Sequence, residues 1–374
     1  MKTLHIHIGT PKTATTAIQF FCMENAEKLA KEGYCYPIFP FDYPGTNKSH
    51  NGSFLLGVLK DKEGKRNTEQ EERNFREGMD IVKKLFLEYD HIILSHEGIW
   101  RKADSVKKDF WEIMMREAKE AEFQIHVIVY LRRQDEYFLS NWNQRTKKLC
   151  SEETIEEYAK RVNYQRWDYY GKLEKISAVI GKENITVRRF DKNRLEGGSI
   201  YSDFLSVFGL ALTEEYIISQ EVRNTGLYGN MHEIKRVMNT MPSMKNEKVQ
   251  MFVTDILREC SDISRKEYPC EIYSKEEIMD FLENYREKNQ KVAEEYLQEE
   301  SGSDLFDYTV PDLPKWKKDN PYMTDDIIRV LGKVMLCLYQ HEQEMEQMKR
   351  SIWHIKNPFW SVFHRIKNKI RFEK

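Results

Sequence analysis

The chain has 374 residues, of which 40% are hydrophobic and 32% charged, and a formal net charge of −2. That length suits one large domain with an extension, or two domains. So neutral a balance excludes a nucleic-acid footprint spread over the whole chain, and no apolar run reaches the roughly 20 residues of a membrane span.

Met1-Lys2-Thr3 runs straight into the first predicted strand, Leu4-His5-Ile6-His7-Ile8, so no signal peptide is expected. His5 and His7 share one face of that strand. No nearby Cys or carboxylate completes a ligand set, so they are expected to pack against neighbours and no metal site is assigned. The strand leads into Gly9-Thr10-Pro11-Lys12-Thr13-Ala14-Thr15-Thr16, and Ile18, Phe21, Cys22 and Leu29 then recur at helical spacing. A strand, a tight loop and a helix N-terminus make an anion cradle, because loop amides point inward and the helix dipole adds partial positive charge. The phosphate loop of kinases and GTPases would need glycine at position 14 and lysine at position 15. This chain has Ala14 and Thr15, and its lysine comes earlier, at Lys12. Alanine has less backbone freedom than glycine, so the loop must keep a negative φ at Ala14 or accept strain there.

Gly33 closes this helix, and Tyr34-Cys35-Tyr36-Pro37-Ile38-Phe39 reads as a short strand. The turn-rich loop from Pro44 to Ser53 carries His50, a candidate to touch a substrate or to act as a base, since loops over strand ends carry function. After the charged stretch 61–74, Phe75, Met79, Val82 and Phe86 mark one face of a helix. The strand His91-Ile92-Ile93-Leu94-Ser95 ends at His96-Glu97-Gly98. Histidine can take up a proton near neutral pH, and glutamate can if burial raises its pKa. The two are adjacent on extended chain and point opposite ways, so one of them is expected to face the loop. A buried strand, Phe123 to Leu131, runs into Arg132, and Ser140 follows eight residues later on a helix. A guanidinium is a planar, permanently charged fork that suits a phosphate, and strand ends of open α/β sheets are where ligands bind. Another strand, Ile185 to Phe190, leads through Gly197-Gly198 to a helix around Asp203-Phe204-Leu205. Strands alternating with helices predict an α/β fold, P-loop-like and three-layered, with a central parallel sheet and right-handed crossovers.

Pro11-Lys12-Thr13-Ala14-Thr15-Thr16 resembles the 5′-phosphosulfate loop of sulfotransferases, P-K-[ST]-G-T-T, at five of six positions; the departure is Ala14. Arg132 and Ser140 are similar in spacing to the pair that holds the 3′-phosphate of the sulfate donor, 3′-phosphoadenosine 5′-phosphosulfate (PAPS), in that family. The resemblance implies that Pro11, Lys12, Thr13, Ala14, Thr15 and Thr16 bind the 5′-phosphosulfate and that Lys12 also serves catalysis. It implies Arg132 and Ser140 for the 3′-phosphate, and a catalytic base near His96 and Glu97, with His50 a further candidate. Bacterial relatives carry a glutamate at the strand end, which favours Glu97; cytosolic relatives carry a histidine, which favours His96. Relatives also have an Arg/Asn turn near the donor, similar to Arg223-Asn224 here. The activity implied is sulfuryl transfer from PAPS, leaving 3′-phosphoadenosine 5′-phosphate (PAP), to a hydroxyl of a glycan acceptor in capsule, lipopolysaccharide or lipid-linked glycan synthesis. Two rivals stand beside it: a P-loop kinase of a small molecule, and a non-catalytic nucleotide-binding scaffold of a glycan-assembly complex.

From about residue 213 the chain reads as helical, its helices expected to pack over the sheet. Ser274 with Glu277 is a capping box, and Ile278, Phe281, Leu282, Tyr285, Val292 and Tyr296 line one face of the helix that follows. The expected division is a domain over 1–315 and a helical extension over 316–374. Thr324 is placed to cap the extension, with Asp325 and Asp326 in its first turn. Ile327, Leu331, Val334, Leu338, His341, Met345 and Met348 form a heptad seam over about three repeats, a homodimer contact through 324–348 or a surface for the chain's own domain. Asn357-Pro358 reads as a second helix start, followed by the apolar stripe Phe359, Val362, Phe363, Ile366 and Ile370. Residues 349–374 hold eight Lys or Arg against one Glu, with Trp353 and Trp360, which reads as contact with an anionic membrane surface. Six widely spaced cysteines without a C-x-x-C pair point to free thiols in a reducing cytoplasm, and the basic tail is expected to bring the chain to the inner face of the membrane.

Overall fold

In a computed structural model, residues 1–219 and 226–356 are described. The Arg223-Asn224 turn and residues 357–374, with the second helix start and its apolar stripe, lie outside them. Five strands form one parallel sheet: β1 (Thr3–Gly9), β2 (Tyr34–Cys35), β3 (His91–Ser95), β4 (Gln124–Leu131) and β5 (Ile185–Arg189), in the order β2-β3-β1-β4-β5. Ile128 and Tyr130 of β4 join Ile18, Phe21, Cys22, Phe204 and Leu205 in one core. Val127 and Val129 point to the other face and are equally inaccessible. Both faces are therefore covered, as a parallel sheet requires. The P-loop-like α/β expectation describes this architecture.

The strand expected over Tyr34–Phe39 shrinks to Tyr34–Cys35. The first helix stops at Glu24, and a second, Ala26–Lys31, carries Leu29 into the same core. The break falls at Asn25, whose side chain donates to the carbonyls of Phe21 and Ile217 and accepts from the Ile217 amide at 2.7 Å. Tertiary bonds to a segment 192 residues away thus interrupt an apolar periodicity that runs on in the sequence.

His5 and His7 pack inside, as expected. His5 Nδ1 lies 2.8 Å from His126 Nδ1 and His5 Nε2 lies 3.2 Å from His91 Nδ1, while His126 Nε2 meets Thr186 Oγ1 at 2.7 Å. Opposite nitrogens of His5 serve its two neighbours, so the rings form a chain across β3, β1, β4 and β5 and do not converge on a point. Burial, then the charges of His126 and His91, lower the His5 pKa to about 2; burial likewise lowers His91 and His126. In the unfolded chain each titrates near the ordinary value of about 6.5. Below that value the unfolded state binds more protons than the folded one, so stability falls as pH drops from there towards the folded values. Thermal melts at about pH 7 and about pH 5 are expected to give a lower midpoint at the acid value, and equal midpoints would refute neutral rings in the fold.

The chain divides into two compact units. Among the described residues the first comprises 1–142, 155–219 and 274–312 and holds the sheet; the second comprises 143–154, 226–273 and 313–356. The cut nearest the 315/316 of the sequence reading falls at 312/313. In the first unit the Ser274 capping box is formed on helix Lys275–Leu297, whose Asn289 exchanges hydrogen bonds with Gln134. In the second, Leu227 joins Met231, Ile256, Leu257, Cys260 and Val330, drawn from helices Asn230–Met238, Glu247–Glu267 and the last described helix, in a core with no sheet residue in it. The last described helix, Met323–Lys356, begins one residue before Thr324. Its Asp326 is buried and accepts from Asn230 Nδ2 and Ser264 Oγ, both at 2.9 Å, so it ties helices together and is no mere dipole partner. Val330, Val334 and Cys337 face that core, whereas Ile327, Leu331, Leu338, Met345 and Met348 of the heptad seam are exposed. No described helix is long and apolar enough to cross a membrane.

Candidate active site at the carboxyl end of the sheet

β1 ends at Gly9, and the Thr10 amide donates to the Tyr130 carbonyl of β4 at 2.8 Å. This bond hangs the loop from the neighbouring strand. The Thr13 hydroxyl donates to the Thr10 carbonyl at 2.6 Å and is fully buried. Its proton is therefore committed inside the loop, which leaves the amide of Thr13 as its group for an anion. The helix Thr15–Glu24 starts next, with Thr15 buried and Thr16 exposed. The first amides of a helix have no partner within it and face outward from its N-terminus.

Two loop residues adopt the left-handed region, Lys12 at φ 73° and Ala14 at φ 56°. Of the two options open at Ala14, the loop takes the strained one. The left-handed conformation costs an L-residue about 1 kcal/mol that glycine avoids. Ala14→Gly is thus expected to raise stability by about 1 kcal/mol in urea unfolding, and an unchanged or lower midpoint would contradict this backbone.

Gly9 has φ 99°, and a Cβ on it would lie 3.0 Å from Glu97 Cβ. Only glycine lets the loop and Glu97 approach this closely. Glu97 caps the helix Gly98–Val106, and its Oε2 accepts from Gln19 Nε2 at 3.1 Å. Gln19 also donates to Ser95 Oγ at 3.1 Å, and that hydroxyl meets His7 Nδ1 at 2.9 Å. Burial pushes the Glu97 carboxyl up, but His50, His96, its own amide and Gln19 act the other way and prevail. The carboxylate is held ionised and can accept a proton, but its pKa is lowered and not raised as the sequence argument asked, which makes it a weaker base. His96 turns away, its ring over Gly98, where a Cβ would come within 2.3 Å of Nε2. It is buried, neither ring nitrogen has a hydrogen-bond partner, and burial lowers its pKa to about 4. His50 is half-buried within electrostatic reach of Glu97; burial lowers its pKa and Glu97 opposes that.

Arg132, just past β4, donates from Nη1 to the Lys12 carbonyl at 3.2 Å and from Nε to Glu136 Oε2 at 2.9 Å. Its own carbonyl accepts from the Tyr169 hydroxyl at 2.6 Å. Ser140, half-buried on helix Gln134–Lys148, lies one turn beyond Glu136 on the same helix face. The structure therefore gathers loop 9–16, Glu97, His96, His50 and Arg132 at one end of the sheet, with Ser140 a turn away from the carboxylate paired to Arg132.

Sequence reasoning missed Gln19, Ser95 and Glu136. The signal for Gln19 was a lone polar residue between Ile18 and Phe21 on a buried helix face; Glu136 stood four residues from Arg132, a helical neighbour spacing. Unpartnered buried polar atoms occur here as well: Thr10 Oγ1, Gln19 Oε1, His7 Nε2 and both His96 nitrogens. Buried polar atoms are rarely left unpaired without a reason such as a site for a ligand or water.

No protein-family model matches the chain. A protein of Archaeoglobus fulgidus described as uncharacterized is 28% identical over 174 residues, 46% of this chain; the match spans about half of that relative, 45% of its length. The fold is similar to the crystal structure of a sulfotransferase from Alicyclobacillus acidocaldarius, with a TM-score of 0.34 and 10% identity, over 60% of this chain and 87% of that one.

Proposed function

We propose that this chain is a sulfotransferase that moves a sulfuryl group from PAPS to a hydroxyl of a carbohydrate acceptor. The observation that carries the reading is the hydrogen bond from Arg132 to the Lys12 carbonyl, which joins two phosphate-type motifs 120 residues apart. A donor with phosphates at both ends of one nucleoside needs two such anchors. The residues present suit it: a glycine that admits close approach, unpaired helix amides, a lysine and a guanidinium.

In this reading the amides of Thr13, Thr15 and Thr16 and the hydroxyls of Thr15 and Thr16 hold the 5′-phosphate, framed by Pro11 and Ala14. Arg132 and Ser140 take the 3′-phosphate. Glu97 removes the acceptor proton, with His50 beside it. The acceptor oxygen forms a bond to sulfur as the bridging bond from sulfur to the 5′-phosphate oxygen breaks, and PAP departs. Lys12 neutralises the charge that grows on the departing phosphate. Fixed donors aimed at developing charge usually contribute most of the acceleration in such catalysis. The reading includes a cytoplasmic setting, self-association through 324–348 and contact with an anionic membrane surface through 349–374, where lipid-linked glycan acceptors are built.

The test is a thermal titration with PAP, using ADP with Mg²⁺ for comparison. At about one hundred times its Kd, PAP is expected to add about 2.7 kcal/mol, and Arg132→Ala to lose that stabilisation. A response to ADP with Mg²⁺ alone would replace the reading with a P-loop kinase and remove Arg132 and Ser140 from the site. PAP binding without turnover of PAPS on glycan acceptors would favour the scaffold.

A further inference from the structure

We propose that loop 39–54 forms a subsite for a neutral pyranose ring, placed to offer one hydroxyl to His50 and Glu97. The proposal rests on the sulfotransferase reading only in calling that ring the acceptor. The loop encloses a cleft lined by Phe41, Asp42, Asn47, Lys48, His50 and Phe54, among others. Three rings pack at its back: Phe39 and Phe54 lie 4.4 Å apart, and Phe41 lies 6.2 Å from Phe39 and 6.1 Å from Phe54. Phe39 and Phe54 are buried, while Phe41 is half-buried and keeps part of its ring accessible. Its rim is polar, with Asp42, Asn47 and Lys48 exposed.

This combination matches a sugar ring. A pyranose has a face of C–H bonds, which suits the electron-rich face of an aromatic ring, and an edge of hydroxyls. Asp42 can accept from such hydroxyls, Lys48 can donate to them, and Asn47 can do both. One carboxylate and one ammonium balance, which favours a neutral ring over an anionic one.

The loop is fixed to the strand end that carries Glu97. The Asn51 side chain donates to the Ile93 carbonyl at 2.9 Å and accepts from the Ser95 amide at 2.8 Å. The Gly52 amide donates to the Ser95 carbonyl at 3.2 Å, and the Tyr36 hydroxyl donates to the Ser49 carbonyl at 2.6 Å. His50 sits between this clamp and the cleft, lining the cleft while in electrostatic reach of Glu97. Beside it, the fully buried Ser49 Oγ has no hydrogen-bond partner. His50 thus joins the cleft it lines to the carboxylate assigned to proton removal.

Saturation-transfer NMR with methyl glycosides of neutral hexoses, N-acetylhexosamines and hexuronic acids, run with and without PAP, tests the subsite. At least one neutral glycoside is expected to bind, with Kd about tenfold weaker in Phe41→Ala and in Asp42→Ala. Asp42 is exposed, so Asp42→Ala is expected to keep the melting temperature and to test the subsite even where Phe41→Ala lowers it. No neutral glycoside binding, tighter binding of uronides, or binding undiminished in both variants would overturn the proposal. PAP titration of the same samples separates the two ideas: absent PAP binding with glycoside binding that both variants weaken removes the donor reading and leaves the subsite standing.

Discussion

Replacing Lys12 by alanine is expected to lower sulfuryl transfer about a hundredfold, or about 3 kcal/mol in the barrier. The substitution isolates charge from backbone. Lys12 holds φ 73°, and alanine carries the same Cβ, so the left-handed strain is unchanged. The bond from Arg132 reaches the main-chain carbonyl of Lys12 and survives as well. What disappears is the ammonium that the proposal sets beside the departing phosphate. The loss is therefore expected in kcat, with a smaller change in PAP affinity, because the phosphate gains charge only as the bridging bond breaks. Near-full activity in Lys12→Ala would end the proposed role of this lysine.

The largest expected effect on stability is at Asp203. This buried carboxylate accepts from the Tyr130 hydroxyl at 2.6 Å and from the Glu196 amide at 2.8 Å, and Arg188 Nε lies 3.9 Å away. Asp203→Ala would leave a buried phenol and a main-chain donor without an acceptor and remove a counter-charge from Arg188. The expected cost is about 3 kcal/mol, read as a shift of the urea midpoint. Asp203→Asn keeps one acceptor but turns a donor group towards the other partner, so an intermediate loss is expected. A change under about 1 kcal/mol in Asp203→Ala would show that water replaces the carboxylate at this point. The site would loosen too, since the carbonyl of Tyr130 accepts the amide that hangs the loop.

Arg132 was legible because a guanidinium directly after a buried apolar strand is a local pattern. Glu97 against His96 was not. Both follow the same strand, and the chain alone says only that they point apart. The close approach of Gly9 decides that Glu97 meets the loop and that His96 folds back over Gly98. Thr13 is a second case: the chain places a hydroxyl in a phosphate-type loop, and only the folded turn shows that it donates to the Thr10 carbonyl.

The amino-acid sequence by itself determined the order of strands and helices, the loop after β1 and the capping box at Ser274. These depend on periodicity, caps and turns spanning a few residues, where covalent geometry dictates which side chains share a face. Only the tertiary structure decided the break at Asn25, the histidine chain, the left-handed Ala14 and the grouping of 226–273 with 313–356. The break, the histidine chain and the grouping follow from hydrogen bonds or apolar contacts between segments far apart in the chain, whose energies override local preference and which no short window of residues contains, and Ala14 sits in a loop that the Thr10 amide hangs from β4.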